Sequence, residues 1–320
     1  MSTLVTGGAG YIGSHVVRLL EQRGEQVVVV DDLSNGIPAR VPNATLVELD
    51  LSAADAESRL RAVMEEHAVT AVIHFAAKKQ VGESVERPLW YYRNNVEGLA
   101  NLLAAMESAD VTTMVFSSSA AVYGIPDIGI VPEKIDCRPI NPYGQTKLVG
   151  EWMIDNAARH GLRAIKLRYF NVAGTGWPEL ADTAVMNLIP IILDRVAMGR
   201  APVVFGDDYP TPDGTCIRDY VHVADLADAH IAALDHIAAG GIAESVFNVG
   251  TGRGASVLEV IDAMSSALGR ELTPEIAPRR PGDPPQLVAD VSAIERELGW
   301  RASRGLSAIV ESAVPAELRP

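Results

Sequence analysis

Short apolar runs alternate with amphipathic stretches through the first half of the chain. The runs are rich in Val, Ile and Leu and predict buried strands at residues 3–6, 26–30, 45–49, 71–75, 113–117 and 163–167. Between them, apolar positions repeat at helical spacing and predict helices at residues 11–23, 53–66, 89–108 and 143–160. Strands that alternate with helices indicate an α/β fold, in which right-handed crossovers build a doubly wound parallel sheet.

The pattern is less regular after residue 168, where Gly, Pro and Asp mark several loops. Helices are predicted there at residues 185–198, 224–237 and 257–268. We therefore expect two domains, a parallel-sheet domain at residues 1–168 and a smaller, mixed α/β lobe formed mainly by residues 169–320. A segment at about 224–249 is expected to return to the first domain.

Composition and charge narrow the range of partners. The chain has 320 residues, with 27 Lys and Arg against 41 Asp and Glu, and therefore a net charge of −14. This balance argues against nucleic acid or an anionic membrane as a partner, because both need basic surfaces. Cys137 and Cys216 are too far apart in sequence to indicate a disulfide or a metal site. Without a signal-like start or a long apolar stretch, the chain is expected to be cytoplasmic.

A glycine-rich turn joins the first predicted strand to the first predicted helix, in Thr6-Gly7-Gly8-Ala9-Gly10-Tyr11-Ile12-Gly13. Its glycines fit both G-x-G-x-x-G and G-x-x-G-x-x-G, and spacing alone does not choose between them. Backbone N–H groups at such a helix start hold a pyrophosphate, as in the Rossmann fold. Asp31 ends the next strand, where its carboxylate would accept hydrogen bonds from ribose hydroxyls and repel a 2′-phosphate, which favours NAD over NADP. Asp32 and Asp50 can face the adenosine too, although a turn or capping aspartate explains them equally well.

Tyr143 and Lys147 lie four residues apart on a predicted helix, so the phenol and the ammonium share one face. A nearby cation stabilises a phenolate and lowers the pKa of the phenol. Asn141 can cap this helix and Pro142 fits its first turn, which places Tyr143 at the positive end of the helix dipole. We therefore predict that Tyr143 is a base near neutral pH, with a positive nicotinamide adding to the effect. A buried tyrosine followed by a solvated lysine is the structural alternative.

Further motifs accompany these residues. They are Ser117-Ser118-Ser119-Ala120-Ala121-Val122-Tyr123-Gly124, His74-Phe75-Ala76-Ala77, Val81-Gly82-Glu83-Ser84, Asn94-Asn95-Val96, Leu167-Arg168-Tyr169-Phe170-Asn171, Gly206-Asp207-Asp208-Tyr209-Pro210-Thr211-Pro212-Asp213-Gly214-Thr215 and Ile217-Arg218-Asp219-Tyr220-Val221-His222-Val223. With the glycine turn and the Tyr143–Lys147 pair, they make the chain resemble the extended short-chain dehydrogenase/reductase family almost from end to end. The last two motifs are more specific and resemble the UDP-glucose 4-epimerases within it.

The resemblance implies reversible, NAD-dependent inversion at C4 of UDP-glucose and UDP-galactose through a 4-keto intermediate. Tyr143 would be the base, and Ser119 would hydrogen-bond the 4-hydroxyl and help relay its proton. Lys147 would also hold the nicotinamide ribose. NAD would stay bound because each cycle regenerates it, with the first domain holding NAD and the lobe holding the UDP-hexose.

The resemblance also implies two sets of binding positions. The NAD set comprises Tyr143, Lys147, Gly7, Gly10, Tyr11, Ile12, Gly13, Asp31, Asp32, Asn35, Asp50, Leu51, Phe75, Ala76, Ala77, Lys79, Asn95, Ser117, Tyr169 and Phe170. The UDP-sugar set comprises Ser119, Tyr143, Asn171, Asn187, Leu188, Val204, Phe205, Arg218, Tyr220, Val257, Arg280 and Asp283. Both arginines suit a diphosphate, because the guanidinium fork matches phosphate oxygens. Solvated arginines and core aromatic residues are the structural alternatives, and no metal site is expected.

Several other functions are compatible with the motifs. A related 4-epimerase could act on UDP-GlcNAc/GalNAc, UDP-xylose/arabinose or UDP-glucuronate, and Leu287, at a position that varies in the family, does not indicate which. A nucleotide-sugar 4,6-dehydratase is disfavoured, because it needs an acid and a base where this chain has Ala120 and Ala121. A non-catalytic NAD-binding regulator is disfavoured, because such proteins typically lack the tyrosine or the lysine. In relatives, the helices that correspond to residues 89–108 and 143–160 form a four-helix bundle between subunits, which implies a homodimer.

Overall fold

The computed structural model of the chain describes residues 1–242, 245–280 and 282–319. Its strands are β1 (Ser2–Thr6), β2 (Gln26–Asp31), β3 (Thr45–Glu48), β4 (Ala71–His74), β5 (Thr113–Ser119), β6 (Ile130–Val131), β7 (Arg163–Tyr169), β8 (Asn171–Ala173), β9 (Val203–Phe205), β10 (Ile217–His222), β11 (Val246–Val249), β12 (Gly254–Ser256), β13 (Glu275–Ala277) and β14 (Gln286–Ala289).

The helices are α1 (Tyr11–Gln22), α2 (Ala56–Glu66), α3 (Val81–Glu86), α4 (Pro88–Tyr92), α5 (Gly98–Ser108), α6 (Pro142–Ala158), α7 (Leu188–Ala197), α8 (Val223–Ala238), α9 (Val257–Leu268), α10 (Ser292–Leu298) and α11 (Leu306–Ala313). A π turn at Arg93–Glu97 joins α4 to α5. The predicted helix over residues 89–108 is thus helical throughout, but it contains a π turn in its first half that was not predicted. Hydrophobic periodicity does not reveal a single widened turn, because the apolar face continues on either side of it.

Seven parallel strands form the main sheet in the order β11-β7-β5-β4-β1-β2-β3. The Val27–Val30 part of β2 is a continuous apolar run and is buried throughout, because helices cover both faces of the sheet. The chain builds outward from β1 in one direction and then from β4 in the other. This doubly wound α/β sheet confirms the predicted fold class, and its switch point lies between β1 and β4.

The two faces of the main sheet are packed by different helices. Val5, Val29 and Val115 point to the face covered by α1 and α8. Leu4, Val30 and other residues of alternate parity point to the face covered by α2 and α5. This alternation follows from the two-residue period of a strand.

A second sheet forms the lobe, in the order β12-β10-β14-β6, with β8 pairing to the end of β10. A parallel pair of β9 and β13 lies beside it. Chain segments cross between the two sheets in both directions, since β6 comes from the first half of the chain and β11 from the second. The boundary at residue 168 stays a prediction, and residues 243 and 244 of the segment 224–249 lie outside the described residues.

A membrane-crossing segment is not found in the part of the chain that the structure describes, where every helix is too short or too polar to span a bilayer.

Candidate functional site

The glycine turn between β1 and α1 has no room for side chains. Gly7 has a φ of +68°, and a Cβ atom on it would lie 2.7 Å from the backbone nitrogen of Ala76. A Cβ atom on Gly13 would lie 2.4 Å from the carbonyl oxygen of Gly7. Gly8 instead packs on the side chain of Val29. Gly7, Gly10 and Gly13 therefore shape the turn, and Gly8 serves the packing beneath it.

The N-terminus of α1 faces this turn with its backbone donors uncapped. Gly10 is the N-cap residue, and among the described residues no side chain caps it and no acid lies in the first turn. Tyr11 and Ile12 begin the helix. The first N–H groups of a helix and its dipole together favour an anion at this position.

Asp31 closes the turn from the end of β2. Its Oδ2 accepts a hydrogen bond from the backbone nitrogen of Ala9 at 3.0 Å, and its Oδ1 accepts one from Leu33 at 2.9 Å. Burial raises the pKa of this carboxyl, against the effect of the two backbone hydrogen bonds. Gly36 packs directly on the carboxylate, and a Cβ atom there would lie 2.5 Å from Oδ1. The carboxylate is therefore fixed in place beside the glycine turn.

A lysine that the sequence motifs did not identify also lies beside the turn. The Nζ atom of Lys78 is 2.8 Å from Oδ2 of Asp32 and 2.6 Å from Oγ of Ser34. Burial opposes the charge on Asp32, but the hydrogen bonds from Lys78 and Ser34 outweigh it and lower its pKa. Asn95, in the π turn, bonds the backbone of Lys78 through both ends of its amide, at 2.8 and 3.0 Å. The resemblance pointed to Lys79, whose side chain is exposed.

Three other residues of the predicted NAD set lie further along the same edge. Asp50 is exposed, and its Oδ1 accepts hydrogen bonds from the backbone nitrogen and the hydroxyl of Ser52. Asp50 therefore stabilises a turn, which was the structural alternative to an adenosine contact. Leu51 is buried, and its carbonyl accepts a hydrogen bond from Asn101 at 2.8 Å. Asn35 is exposed on the loop after β2.

The carboxyl edge of the main sheet continues on the other side of the glycine turn, where β4, β5 and β7 end. The ring of Phe75 packs 4.7 Å from that of His230, and the Tyr169 hydroxyl lies 3.3 Å from the Nε2 atom of the same histidine. Ala76 and Ala77 continue the loop after β4, while Phe170 is buried beneath the turn that follows Ser119. Tyr169 and Ser119 are register partners, so β5 and β7 end level with one another. Phe75 and Phe170 therefore have core contacts, as their structural alternative required.

Helix α6 places Tyr143 and Lys147 at this end of the edge. Asn141 caps the helix by accepting a hydrogen bond from the Gly144 nitrogen at 2.9 Å, and Pro142 is its first residue, so both predictions are confirmed. The buried Lys147 ammonium donates to the carbonyl of Ser117 at 2.8 Å. Ser119 ends β5, and its hydroxyl interacts with the Tyr143 phenol.

The electrostatics of Tyr143 differ from the sequence prediction. Burial raises the pKa of the phenol, and the hydrogen bond with Ser119 offsets only part of this rise. Burial also lowers the pKa of Lys147 to about 7, while the charge of Glu151 acts in the opposite direction. Burial therefore dominates the pKa of the phenol, and the expectation that Tyr143 ionises near neutral pH, with Lys147 and a positive nicotinamide both acting on it, stays a prediction.

The positions predicted for a UDP-sugar lie mainly in the lobe. Arg218 on β10 donates to the carbonyl of Pro284 at 2.8 Å and lies 3.3 Å from the carboxylate of Asp283. The Arg280 guanidinium stacks 3.8 Å from the ring centre of Phe205. Four of the predicted residues are thus brought together as two pairs, each of which contains one arginine.

The remaining predicted positions frame these two arginines. Tyr220, on β10, is buried and is the register partner of Asn171 on β8. The others are Val204 on β9, Asn187 and Leu188 at the start of α7, and Val257 at the start of α9. Asn187 is exposed, and among the described residues no side-chain bond caps α7.

Metal-binding groups are not assembled in this region, since the described residues contain no cluster of three or more His, Cys, Asp or Glu side chains that could hold an ion.

Comparison with known proteins agrees with this geometry. A family described as the NAD dependent epimerase/dehydratase family matches residues 3–250. The chain belongs to this family. A curated member that is similar to it, the UDP-glucose 4-epimerase of Azospirillum brasilense, is 48% identical over an alignment that covers 98% of this chain and 91% of that protein.

Solved structures of the epimerase/dehydratase family resemble the chain over its whole length. The UDP-glucose 4-epimerase of Brucella ovis in complex with NAD has a TM-score of 0.93 and 43% identity, covering 98% of this chain and 97% of its own. The UDP-glucose-4-epimerase of Stenotrophomonas maltophila, with bound NAD and formylated UDP-arabinopyranose, has a TM-score of 0.92 and 43% identity, covering 98% and 96%. The resemblance stated from the motifs is confirmed.

Proposed function

We propose that this protein is an NAD-dependent UDP-glucose 4-epimerase that interconverts UDP-glucose and UDP-galactose through a 4-keto intermediate. The observation that carries the proposal is the meeting of Ser119, Tyr143 and Lys147 at the carboxyl edge of a Rossmann sheet, on the same edge as the glycine turn. A hydroxyl relay, a phenol and an ammonium are the groups that a reversible oxidation of a carbinol requires. The similarity to UDP-glucose 4-epimerases over nearly the whole chain supports it.

The residues present fit NAD. The uncapped start of α1 and the turn without room for Cβ atoms suit a pyrophosphate, and Asp31 suits the adenosine ribose. Lys147 would hold the nicotinamide ribose, and the other NAD positions predicted above would line the same edge. When bound, NAD supplies a hydride acceptor that later returns the hydride to the sugar.

The chain's own groups would manage the proton. Tyr143 would take the proton of the 4-hydroxyl directly or through Ser119, and it would return the proton after the 4-keto sugar has turned over. Because burial keeps the phenol protonated, its ionisation needs positive charge beside it, which Lys147 and an oxidised nicotinamide both carry. Arg218 and Arg280 would hold the diphosphate, so that the UDP stays fixed while the sugar turns.

A related UDP-sugar 4-epimerase is the second candidate. Leu287 lies beside Arg218 in the pairing of β10 with β14, at the edge of the proposed sugar site. The size of the Leu287 side chain would therefore influence which UDP-sugars fit in the site. A 4,6-dehydratase remains disfavoured, because Ala120 and Ala121 occupy the turn directly after Ser119 and carry no proton-transfer group.

The proposed activity is tested by incubating the purified protein with UDP-galactose and no added NAD. We expect UDP-glucose to form, because the protein retains the cofactor through each cycle. A 4-keto-6-deoxy product would identify a dehydratase. If no product forms, a panel of other UDP-sugars separates a related epimerase from a protein without this activity.

We also propose that the protein is a homodimer. Val85, Leu89 and Trp152 are 62%, 78% and 57% exposed on α3, α4 and α6, and α4 and α6 belong to the helices that the resemblance places at a subunit interface. Large exposed apolar side chains grouped in this way are typical of an interface. A cytoplasmic location likewise stays a prediction.

Light scattering at micromolar concentration is expected to give the mass of two chains. The substitution Trp152→Glu should shift the mass toward one chain, because it buries a charge in the interface. Met198→Glu is the matched control, since Met198 is 58% exposed beyond the end of α7, away from these helices. A monomeric unmodified protein would contradict the proposal.

A further inference from the structure

Glu151 is a buried acid that the proposed proton transfer leaves without a role. It lies four residues after Lys147 on α6, so both side chains point from the same face of the helix. Only 2% of Glu151 and 4% of Lys147 is exposed. A carboxylate at this depth is retained only where its charge is compensated by its surroundings.

The carboxylate of Glu151 is held on both oxygens. Arg168, on β7, donates from Nε to Oε1 at 2.9 Å and from Nη2 to Oε2 at 2.6 Å. Ser118, on β5, donates from Oγ to Oε1 at 2.5 Å. The forked arrangement leaves the carboxylate little freedom to move relative to α6.

Arg168 is fixed in turn by a second set of groups. Its Nη1 donates to the Tyr123 hydroxyl at 3.0 Å and to the carbonyl of Glu133 at 3.1 Å. The Tyr123 hydroxyl donates to Oδ1 of Asn248, on β11, at 2.6 Å. Strands β5, β7 and β11 thus hold one negative charge at a set position beneath α6.

The other titratable groups near Lys147 do not supply a negative charge to it. Elements packed against α6 carry Glu83, Glu86, Tyr91, Tyr92, Arg93, Glu97, Glu107, Tyr123, Arg163, Lys166, Arg168 and Tyr169. Glu83 accepts the Tyr91 hydroxyl, and Lys166 pairs with Asp155, one turn beyond Glu151. His74, on β4, is neutral, because burial and then the charge of Lys147 lower its pKa to about 3. Glu151 is the charged group that supports protonation of Lys147.

We propose that Glu151 is a positioning residue that favours the ammonium form of Lys147 on α6, and so helps keep the base of the reaction, Tyr143, ionisable. The proposal rests on the proposed roles of Tyr143 and Lys147. Without Glu151, the burial that lowers the pKa of Lys147 is unopposed and Arg168 loses the carboxylate that it pairs with, and both changes favour the neutral amine of Lys147. A neutral amine does not stabilise a phenolate, so the proton stays on Tyr143.

The substitution Glu151→Gln removes the charge and keeps the size of the side chain. We expect kcat for UDP-galactose at pH 7 to fall about tenfold with KM nearly unchanged, and the acid limb of the kcat profile to move up by about one pH unit. Ultraviolet titration of tyrosinate gives a second readout. The absorbance step that is lost in Tyr143→Phe should move to higher pH in Glu151→Gln.

Two further variants separate this role from a structural one. Asp155→Asn breaks the ion pair between α6 and the buried Lys166 but leaves the surroundings of Lys147 intact. The acid limb of its kcat–pH profile should therefore lie at the same pH as in the unmodified protein. If Glu151→Gln does not fold, the double variant Glu151→Gln/Arg168→Met leaves no buried unpaired charge and should still move the acid limb up, by less than one pH unit, because the positive charge of Arg168 is removed together with the carboxylate. Glu151→Asp keeps the charge and should restore most of the rate.

The outcomes distinguish the two proposals. An unshifted limb and tyrosinate step in the folded Glu151→Gln variant would overturn the role of Glu151, as would an equal shift in Asp155→Asn. If the unmodified protein does not form UDP-glucose, the proposed function fails instead. The tyrosinate titration then still reports whether Glu151 controls the ionisation of Tyr143.

Discussion

Tyr143→Phe is expected to keep bound NAD and to lose epimerase turnover by roughly three orders of magnitude, the middle of the range for losing a general base. The ring would still pack at the start of α6, but it would no longer accept the proton of the 4-hydroxyl. Ser119 does not replace it, because a serine hydroxyl is a much weaker base than a phenolate. The measurement is the steady-state rate with UDP-galactose, together with NAD released on denaturation.

Tyr92→Phe is the matched control for this substitution. Its hydroxyl donates to Oε1 of Gln145 at 3.0 Å, so the change also removes a tyrosine hydrogen bond to α6. This variant should keep turnover close to that of the unmodified protein. Near-normal turnover in Tyr143→Phe would refute its assignment as the base.

Gly13→Ala is expected to abolish retention of NAD. The new Cβ atom would lie 2.4 Å from the Gly7 oxygen and 2.8 Å from the Gly8 Cα atom, and both are backbone atoms that cannot rotate away. The turn must therefore shift and misplace the N–H groups that we propose hold the pyrophosphate. Losing two hydrogen bonds to a charged group, each worth about 1.5–3 kcal/mol, weakens binding more than about 100-fold.

The measurement is the molar ratio of NAD to protein after gel filtration, with circular dichroism to show that the fold is retained. Gly82→Ala is the control, because Gly82 also lies in a helix and no described atom lies within 4 Å of its added Cβ. It should purify with the same NAD content as the unmodified protein. A folded Gly13→Ala protein with a full complement of NAD would show that the turn does not form the pyrophosphate site.

Local features of the sequence predicted most of the main sheet and the start of each functional element. The strands 3–6 and 26–30 were found within one residue of β1 and β2, because a buried parallel strand needs an unbroken apolar run. The Asn141-Pro142 pair located the start of α6, because a cap and a fixed φ act within one turn. The positions of Asp31, Ser119 and Tyr143 follow from these elements.

The lobe was less predictable. Its sheet takes β6 from residues 130–131, a strand of two residues whose partner β14 lies more than 150 positions away. Such a short strand has no periodicity of its own and forms only because the rest of the lobe supplies its hydrogen-bond partners. The π turn around Asn95 has the same kind of cause, since Lys78 and Thr146 satisfy its amide from other elements.

The sequence by itself determined the α/β class, the glycine turn and the spacing of Tyr143 and Lys147, because each depends on neighbours within a few residues. The tertiary structure alone decided the charge state of the site. The tertiary structure buries Tyr143, which raises the pKa of its phenol, and it forms the ion pairs of Lys78 with Asp32 and of Arg168 with Glu151. Protonation depends on the hydration and charge within a few ångströms in space, and those neighbours come from strands that folding brings together.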